Sequence, residues 1–376
     1  MLSAPTSTAP ATADATLVAR LEAAGAVLVG ALNMGEYAYD FTGENCHDGP
    51  SRNPHDSSRM TGGSSGGSGG AVGGGLVPIA LGSDTNGSIR VPASFCGTFG
   101  LKPTYGRLSR AGSFPFVSSL DHLGPLARST LDLALAYDAM QGHDPGDPVC
   151  TPRPTEPAVP ALGGGIGGLR IVRAGGYFRA GAAPEALAAL DSVAAALGAE
   201  RQIDTPEAAR ARSAAYVITA SEGAALHLQR LRERAAGFDP DVRDRLIAGA
   251  LIPGAAVAQA QKFRRWYREA VLQLFDEVDA ILAPATPFAA PPIGQKSFML
   301  AGKEVPLRPN IGIYTQPISF IGLPVVAVPV PEAAGKLPIG VQIIAAPWRE
   351  DVALRISHHL EATGAVRAAL APELGE

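Results

Sequence analysis

Near the start of the chain, apolar side chains recur at helical spacing and then give way to a short apolar run. Leu17, Val18 and Leu21 fall on one helical face, Gly25 suits the end of that helix, and residues 26–29 have the composition of a strand. This stretch therefore predicts a helix that leads directly into a strand.

Helical patterns of the same kind recur along the rest of the chain. We predict helices in residues 184–197, 206–236, 255–278 and 351–362, and a strand at 279–284 directly after the third of them. Helices that alternate with short β-branched strands are typical of an α/β fold, with a mostly parallel or mixed sheet covered by helices on both sides.

Composition and charge narrow the class of protein. With 376 residues, of which 46% are apolar and 18% charged, the chain can bury a large core. Its 31 basic and 35 acidic side chains give a net charge of −4 with no basic block. We therefore expect a small-molecule partner and no direct contact with nucleic acid.

The sequence also predicts where the protein is found. Residues 1–15 have neither the basic nor the apolar region of a signal peptide, and no apolar run in the sequence is long enough to span a membrane. The cysteines at 46, 96 and 150 are an odd number without metal-ligand spacing. We expect a cytoplasmic protein with no membrane contact and no bound metal.

Glycine is concentrated in residues 62–75, where it occupies 9 of 14 positions. Such a composition is typical of a flexible linker, but this stretch runs straight into the apolar residues 76–81. It contains neither a phosphate-binding loop nor a dinucleotide fingerprint, so we expect no cofactor. A buried site lined by glycine is the better interpretation.

The pattern G-x-S-x-G occurs twice in this stretch, around Ser64 and Ser68. It suggests the nucleophile elbow of an α/β-hydrolase, in which a strand leads into the serine. Residues 55–62 are polar and do not predict that strand. An esterase with one of these serines as nucleophile and a histidine as base is kept as an alternative.

Several long blocks in the same order resemble the amidase signature family, serine hydrolases of amides. They are GGSSGGS at 62–68, GSDTNGSIRVPASFCGTFGLKPTYGRLSR at 82–110, SSLDHLGPLARS at 118–129, VDAILAPATP at 278–287, ISFIGLPVVAVP at 318–329 and LPIGVQIIAAP at 337–347. The resemblance implies a single α/β/α layered domain over residues 1–376, with a large mixed central sheet. Residues 141–278 would be a more variable helical region within it.

The resemblance also implies the residues of a Ser, cis-Ser, Lys triad. Ser88 matches the nucleophile, and Ser64 matches the serine that follows a cis peptide bond and relays a proton. The backbone N–H groups of Thr85, Asn86, Gly87 and Ser88 would form the oxyanion hole. The family usually has Gly-Gly before the nucleophile, whereas this chain has Asn-Gly, a mild departure because asparagine tolerates left-handed geometry.

Three further residues are candidates for substrate binding. Gly62 and Gly63 precede the relay serine, and Arg308 stands before the segment IGIYTQP. An anionic substrate calls for an arginine in its pocket. Asp84 and Arg90 flank the nucleophile, and they either pair with each other to hold the loop or contact the substrate.

The lysine of the triad has no match in this sequence. In the family it lies well upstream of the residue matched by Ser64, in a G-x-P-x-x-[VI]-K-D-like segment, and counting back passes Met1. The first lysine here is Lys102, which belongs to a different motif. We therefore expect that the sequence lacks the N-terminal part of the domain and has little or no amidase activity by itself.

Parts of the chain resemble the 1-carboxybiuret hydrolase subgroup of the family, namely ALNMGEYA at 31–38, GENCHDGPSRNPHD at 43–56 and SDTNGSIR at 83–90. This resemblance implies hydrolysis of a small, nitrogen-rich, anionic amide to acid and ammonia. It also implies a small helical partner subunit, in a homo- or hetero-oligomer. The alternatives are the glutamine-hydrolysing A subunit of the Asp/Glu-tRNA amidotransferase and a non-catalytic amidase-like subunit.

Overall fold

The computed structural model of the chain describes residues 12–300, 302–331 and 337–371. Residues 1–11, which belong to the segment without signal-peptide features, and Lys336 lie outside this part. Among the described residues no helix is both long and apolar enough to cross a membrane. The helices are α1 Thr16–Ala23, α2 Gly66–Gly73, α3 Arg90–Cys96, α4 Thr130–Met140, α5 Pro184–Ala196, α6 Ala208–Arg234, α7 Pro240–Ala250, α8 Gly254–Leu274, α9 Gln316–Ser319 and α10 Glu350–Ala362.

Most of the strands join one large sheet. The strands are β1 Arg52–Asn53, β2 Asp56–Met60, β3 Ile79–Ser83, β4 Phe99–Lys102, β5 Leu123–Ala127, β6 Ile171–Ala174, β7 Gln202–Ile203, β8 Ala280–Pro284, β9 Ser297–Leu300, β10 Lys303–Pro306, β11 Val325–Val330 and β12 Ile339–Ala345. Eight of them form a sheet in the order β3-β5-β4-β11-β12-β8-β6-β7, while β1-β2 and β9-β10 form separate two-stranded sheets.

The large sheet is mixed, which confirms the predicted architecture. Its pairs from β3 to β8 are antiparallel, and the two pairs β8-β6 and β6-β7 are parallel. β11 and β12 are fully buried because helices cover both of their faces.

Alternate side chains of the central strands enter two different cores. Val326 and Ile343 pack with α4, α5 and α10 on one face. Val325 and Ile344 pack with α6, α8 and α9 on the other. Since neighbouring residues of a strand point to opposite faces, helices flank the sheet on both sides as expected.

The predicted helices agree with the structure to within a few residues at their ends. The helix from residue 14, those in 184–197, 206–236, 255–278 and 351–362, and the strand at 279–284 correspond to α1, α5, α6, α8, α10 and β8. Two predictions are corrected. Residues 26–29 form no strand, and Val27 and Val29 are exposed, because no described strand pairs with them. The region 141–278 contains β6 and β7 as well as helices.

Helices α6 and α7 pack with almost no space between their backbones. A Cβ atom added at Gly249 would lie 2.1 Å from the Ala220 carbonyl oxygen and 3.2 Å from the Ala224 side chain. Only glycine fits here, since even one methyl group would push the helices apart.

We expect Gly249→Ala to lower the free energy of unfolding by about 2 kcal/mol, because overpacking of a tight contact costs about 1–3 kcal/mol. Urea unfolding followed by circular dichroism measures the change. Gly254→Ala is the matched control, because an added Cβ meets nothing within 4 Å there. Equal stabilities of the two variants would contradict the close contact.

Candidate active site

Two loops bring Ser64 and Ser88 into the same buried region. Ser88 lies in the loop between β3 and α3, and Ser64 lies in the loop between β2 and α2. Both side chains are buried. The Gly63–Ser64 peptide bond is cis, as the resemblance implies. The Ser65 N–H donates to the Ser88 carbonyl at 3.4 Å, so the two serine-bearing segments are in direct contact.

Helix α2 is attached to β3 by serine hydroxyls. The Ser83 N–H donates to Ser65 Oγ at 3.0 Å, and Ser68 Oγ donates to the Leu81 carbonyl at 2.7 Å. Ser68 therefore lies inside a helix with its hydroxyl bound to main chain. This placement of Ser68 does not match the exposed strand-to-helix turn that the esterase alternative requires. A strand, β2, does precede Ser64, although the polar residues 55–62 did not predict one there.

The hydroxyl of Ser64 is a buried polar atom of this region that lacks a partner. Its Oγ is buried and makes no hydrogen bond within the described part of the chain. Buried polar atoms are normally hydrogen-bonded, so an unpaired one indicates a place where another group binds. A group that approaches Ser64 would satisfy this atom.

The loop between β3 and α3 presents a row of free backbone donors. The N–H groups of Thr85, Asn86, Gly87 and Ser88 have no acceptor among the described residues. Gly87 has φ of +141°, and a Cβ there would lie 2.1 Å from Thr315 Oγ1. The position therefore requires glycine, and the resulting turn leaves these donors available for a developing oxyanion.

A buried ion pair holds this loop. Arg90 Nε donates to one Asp84 oxygen at 2.9 Å, and Nη2 donates to the other at 3.0 Å. Arg90 also donates to Gln342 Oε1 at 2.6 Å, to the Thr315 carbonyl and to Ser319 Oγ. Of the two roles considered for this pair, the structure therefore shows the structural one.

Charges around Asp84 keep it ionised. Burial raises the pKa of this carboxyl, but the charge and hydrogen bonds of Arg90 outweigh burial and bring the pKa to about 2. Nδ1 of His122 donates to the Asp84 carbonyl at 3.0 Å. Burial lowers the pKa of His122, so the ring is neutral and acts as a hydrogen-bond donor to the loop.

Lys102 is buried, and its pKa is lowered to about 7 mainly by that burial. Its ammonium group donates to the carbonyls of Pro103 and Leu323. These contacts hold β4 against the segment before β11. None of the contacts of Lys102 reaches Ser64, in agreement with its assignment to a different motif.

A second carboxylate supports the loop from the other side. Asp121 Oδ1 accepts from the Thr85 hydroxyl at 2.7 Å, and Oδ2 accepts from the N–H groups of Phe116 and Val117. Burial raises the pKa of Asp121 to about 6 despite these donors. Two carboxylates therefore hold the start of the loop: Asp84 through Arg90, and Asp121 through Thr85.

A narrow cavity of about 30 Å³ lies directly over Ser88, and it meets a larger cavity of about 260 Å³ at Ala38, Thr85 and Phe116. The larger cavity does not include Ser88, so we assign the chemistry to the narrow one. Tyr39, Asn86 and Arg245 line the narrow cavity.

Arg308 lies behind this cavity. Its guanidinium pairs with Asp40, with Asp241 at 2.8 Å and with Glu44 at 3.6 Å, and it is not among the described residues that line the space over Ser88. A direct contact with substrate therefore remains a prediction for Arg308.

Gly62 and Gly63 lie on the inner side of the serine loop. A Cβ at Gly63 would lie 2.6 Å from Asp40 Oδ2, and one at Gly62 would lie 2.9 Å from Val91. Close packing explains both glycines. Their contact with substrate also remains a prediction, because neither lines the narrow cavity within the described residues.

The sequence did not indicate Tyr39, Thr219 or Arg245 as site residues. They come from the segment after α1, from α6 and from α7, and nothing in their local sequence distinguishes them from other residues of those segments. The one signal in the sequence was Asn86, because the family usually has glycine at this position and asparagine adds a side chain next to the predicted nucleophile loop.

Among the described residues, no group of three or more His, Cys, Asp or Glu side chains could hold a metal ion.

Comparison with known proteins gives the site its context. A profile of the family described as Amidase matches residues 4–354. The chain belongs to the amidase family. Its members hydrolyse amides, and the protein is accordingly an amide-hydrolysing enzyme.

Two curated relatives illustrate the range of this similarity. The chain is 57% identical over 359 residues to the AtzE subunit of 1-carboxybiuret hydrolase from Pseudomonas sp. (strain ADP), a match that covers 95% of this chain and 79% of the relative. It is 43% identical over 372 residues to the A subunit of glutamyl-tRNA(Gln) amidotransferase from Roseiflexus sp. (strain RS-1), covering 91% of this chain and 75% of the relative.

Solved structures show the same similarity in three dimensions. One, from a vestigial protein complex that reveals the origins of an s-triazine catabolic enzyme, matches with a TM-score of 0.95 at 56% identity, over 96% of this chain and 80% of that one. A 6-aminohexanoate cyclic dimer hydrolase bound to its substrate matches with a TM-score of 0.82 at 31% identity, over 94% and 78%.

We expect Arg90→Met to lower the free energy of unfolding by about 4 kcal/mol, because removal of one partner leaves Asp84 as an uncompensated buried charge. Ser319→Ala, which removes a single hydroxyl from the same network, is the matched control and should cost about 1 kcal/mol. Urea unfolding measures both variants. Similar small losses for the two would show that the ion pair does not hold the loop.

Proposed function

We propose that this enzyme hydrolyses a small, anionic carboxamide related to carboxybiuret, giving the acid and ammonia. The 57% identity to a protein of 1-carboxybiuret hydrolase supports this substrate class. The narrow cavity over Ser88 leaves no room for a bulky group directly beside the nucleophile. The three unpaired cysteines support the cytoplasmic location that we also propose.

One observation carries the proposed mechanism. Ser88 stands at the end of a loop whose four free N–H groups belong to Thr85, Asn86, Gly87 and Ser88 itself. In the same buried region, Ser64 has a hydroxyl with no hydrogen-bond partner among the described residues. A nucleophile, a relay and an oxyanion hole are the groups that acyl transfer requires.

The proposed steps move one proton along two hydroxyls. A base takes the proton of Ser64 as Ser64 takes the proton of Ser88, and Ser88 Oγ bonds to the amide carbon. The carbonyl oxygen becomes an oxyanion held by the backbone donors of the loop. The C–N bond then breaks, ammonia leaves with a proton returned through Ser64, and water hydrolyses the acyl-serine ester to release the acid.

The base in this proposal is a neutral lysine, as in the family. Lys102 does not fill that role here, because its ammonium group donates to two backbone carbonyls. The unpaired hydroxyl of Ser64 is the position that the base would contact. We therefore propose that a lysine other than Lys102 completes the triad.

We also propose that the chain works with a partner protein or as an oligomer. The relatives at 57% and 43% identity are both named as subunits, and the similar solved structure is a protein complex. A small helical partner subunit is consistent with the resemblance described for the sequence.

Hydrolysis of glutamine, as in an amidotransferase, is the second candidate. The 43% identical relative favours it. The substrates of the two candidate functions differ in charge. Glutamine carries a cationic amino group beside its carboxylate, whereas a carboxybiuret-like amide is purely anionic.

We expect a fluorophosphonate probe to label Ser88 when the base lysine is present, because such probes react with serine hydroxyls that are activated for acyl transfer. Intact-mass and peptide mass spectrometry would identify the labelled residue. Labelling should be lost in Ser88→Ala and slowed at least about 100-fold in Ser64→Ala, since loss of a proton-transfer group costs about 10²–10⁴-fold.

Ser68→Ala is the control for this experiment and should label as the unsubstituted chain does, because its hydroxyl is bound to the Leu81 carbonyl. A label on Ser64 or Ser68 would favour the esterase alternative. A chain that takes no label at all would favour a non-catalytic subunit.

A further inference from the structure

The side chain of Asn86 is the feature of the serine loop that the mechanism does not use. It stands where the family usually has glycine, and it lines the cavity over Ser88. Its Nδ2 donates to Thr219 Oγ1 at 2.9 Å. Its Oδ1 is buried and has no hydrogen-bond partner within the described residues.

The contact with Thr219 orients this amide group. Because Nδ2 is held by α6, Oδ1 is the end of the amide that is left without a donor, on a residue two positions before the nucleophile. An unsatisfied buried acceptor is costly, and a ligand that donates to it removes that cost. Such a position favours substrates with an N–H group over those without one.

Arg245 is the cation of the same cavity. Its Nε donates to the Asp241 carbonyl at 2.6 Å and its Nη2 donates to the Tyr39 carbonyl, while the guanidinium lies 3.9 Å from the centre of the Tyr39 ring. These contacts fix its position. Within the described part of the chain it pairs with no carboxylate, so its charge is available to an anion.

The carboxylate that lines the same cavity is already paired. Asp40 also lines the cavity, but its carboxylate pairs with Arg308 and accepts from the N–H groups of Thr42 and Gly43. Arg308 therefore cancels a negative charge that would repel an anionic substrate. Arg245 is left as the unmatched charge at this place.

We propose that Asn86 and Arg245 select the substrate at this site. Asn86 Oδ1 accepts from a ureide N–H beside the reacting carbonyl, and Arg245 binds the carboxylate of the same molecule. The substrate class is a ureido carboxylate, a short chain that joins an N-carbamoyl group to a carboxylate. This inference rests on the proposed function, since it takes Ser88 as the reacting residue.

Three small ligands separate the two contacts. N-carbamoylglycine has both the ureide N–H and the carboxylate. Succinamate replaces that N–H by CH₂ and keeps the carboxylate, whereas N-carbamoylglycinamide keeps the N–H and replaces the carboxylate by a neutral amide. Titration calorimetry in a Ser88→Ala background compares their binding without turnover.

In that background, we expect N-carbamoylglycine to bind about tenfold more tightly than succinamate, since a lost N–H leaves a buried acceptor unsatisfied. It should bind about thirtyfold more tightly than N-carbamoylglycinamide, because a hydrogen bond to a charged group contributes more than one between neutral groups. These two ratios report on Asn86 and Arg245 separately.

Asn86→Gly, which restores the residue usual in the family, should reduce the first ratio to near one and leave the second unchanged. Arg245→Gln should do the reverse. Arg243→Gln is the matched control on α7, because Arg243 pairs with Asp244 and does not line the cavity. It should leave both ratios as they are.

Ratios that do not change in Asn86→Gly and Arg245→Gln would overturn the inference, and so would the absence of any heat of binding for N-carbamoylglycine. The labelling of Ser88 in the unsubstituted chain is independent of these measurements. A chain that labels at Ser88 but shows no ligand preference refutes the selection by Asn86 and Arg245 alone. A chain that shows the preference without labelling refutes the proposed hydrolysis.

Discussion

The buried pair of Asp84 and Arg90 is the interaction on which the site depends. It joins the loop that carries Ser88 to the segment 315–319 and, through Gln342, to the middle of the large sheet. A charge pair removed from water has a strict geometry, because every remaining donor must find an acceptor. The backbone donors of the loop are therefore held by the core of the fold and not by the loop alone.

The close packing of α2 against α3 explains why glycine is abundant in α2. Helix α2 lies close against α3, so that a Cβ at Gly69 would lie 2.9 Å from Pro92 and one at Gly73 would lie 2.5 Å from the Cys96 carbonyl. Ser64 precedes α2, and Ser88 precedes α3. The close approach of the two helices is what brings the two hydroxyl-bearing loops together.

The sequence predicted what depends on local pattern or on a continuous motif. Periodicity located α5, α6, α8 and α10, and the motif containing Ser88 located the loop and its glycine. It did not predict that residues 26–29 would lack a pairing strand, because pairing depends on distant segments. For the same reason it did not reveal the carboxylate partners of Arg308, which come from two other parts of the chain.

The contact between Asn86 and Thr219 crosses from the serine loop to a long helix of another part of the sequence. In the proposed arrangement, ligand preference thus depends in part on Thr219 and Arg245, which belong to segments that can change independently of the loop that carries Ser88. Drift in α6 or α7 would alter which molecules are accepted while the hydroxyls and their supporting charges stay intact. A protein with this arrangement can therefore change its substrate during evolution while it keeps the residues that carry out hydrolysis.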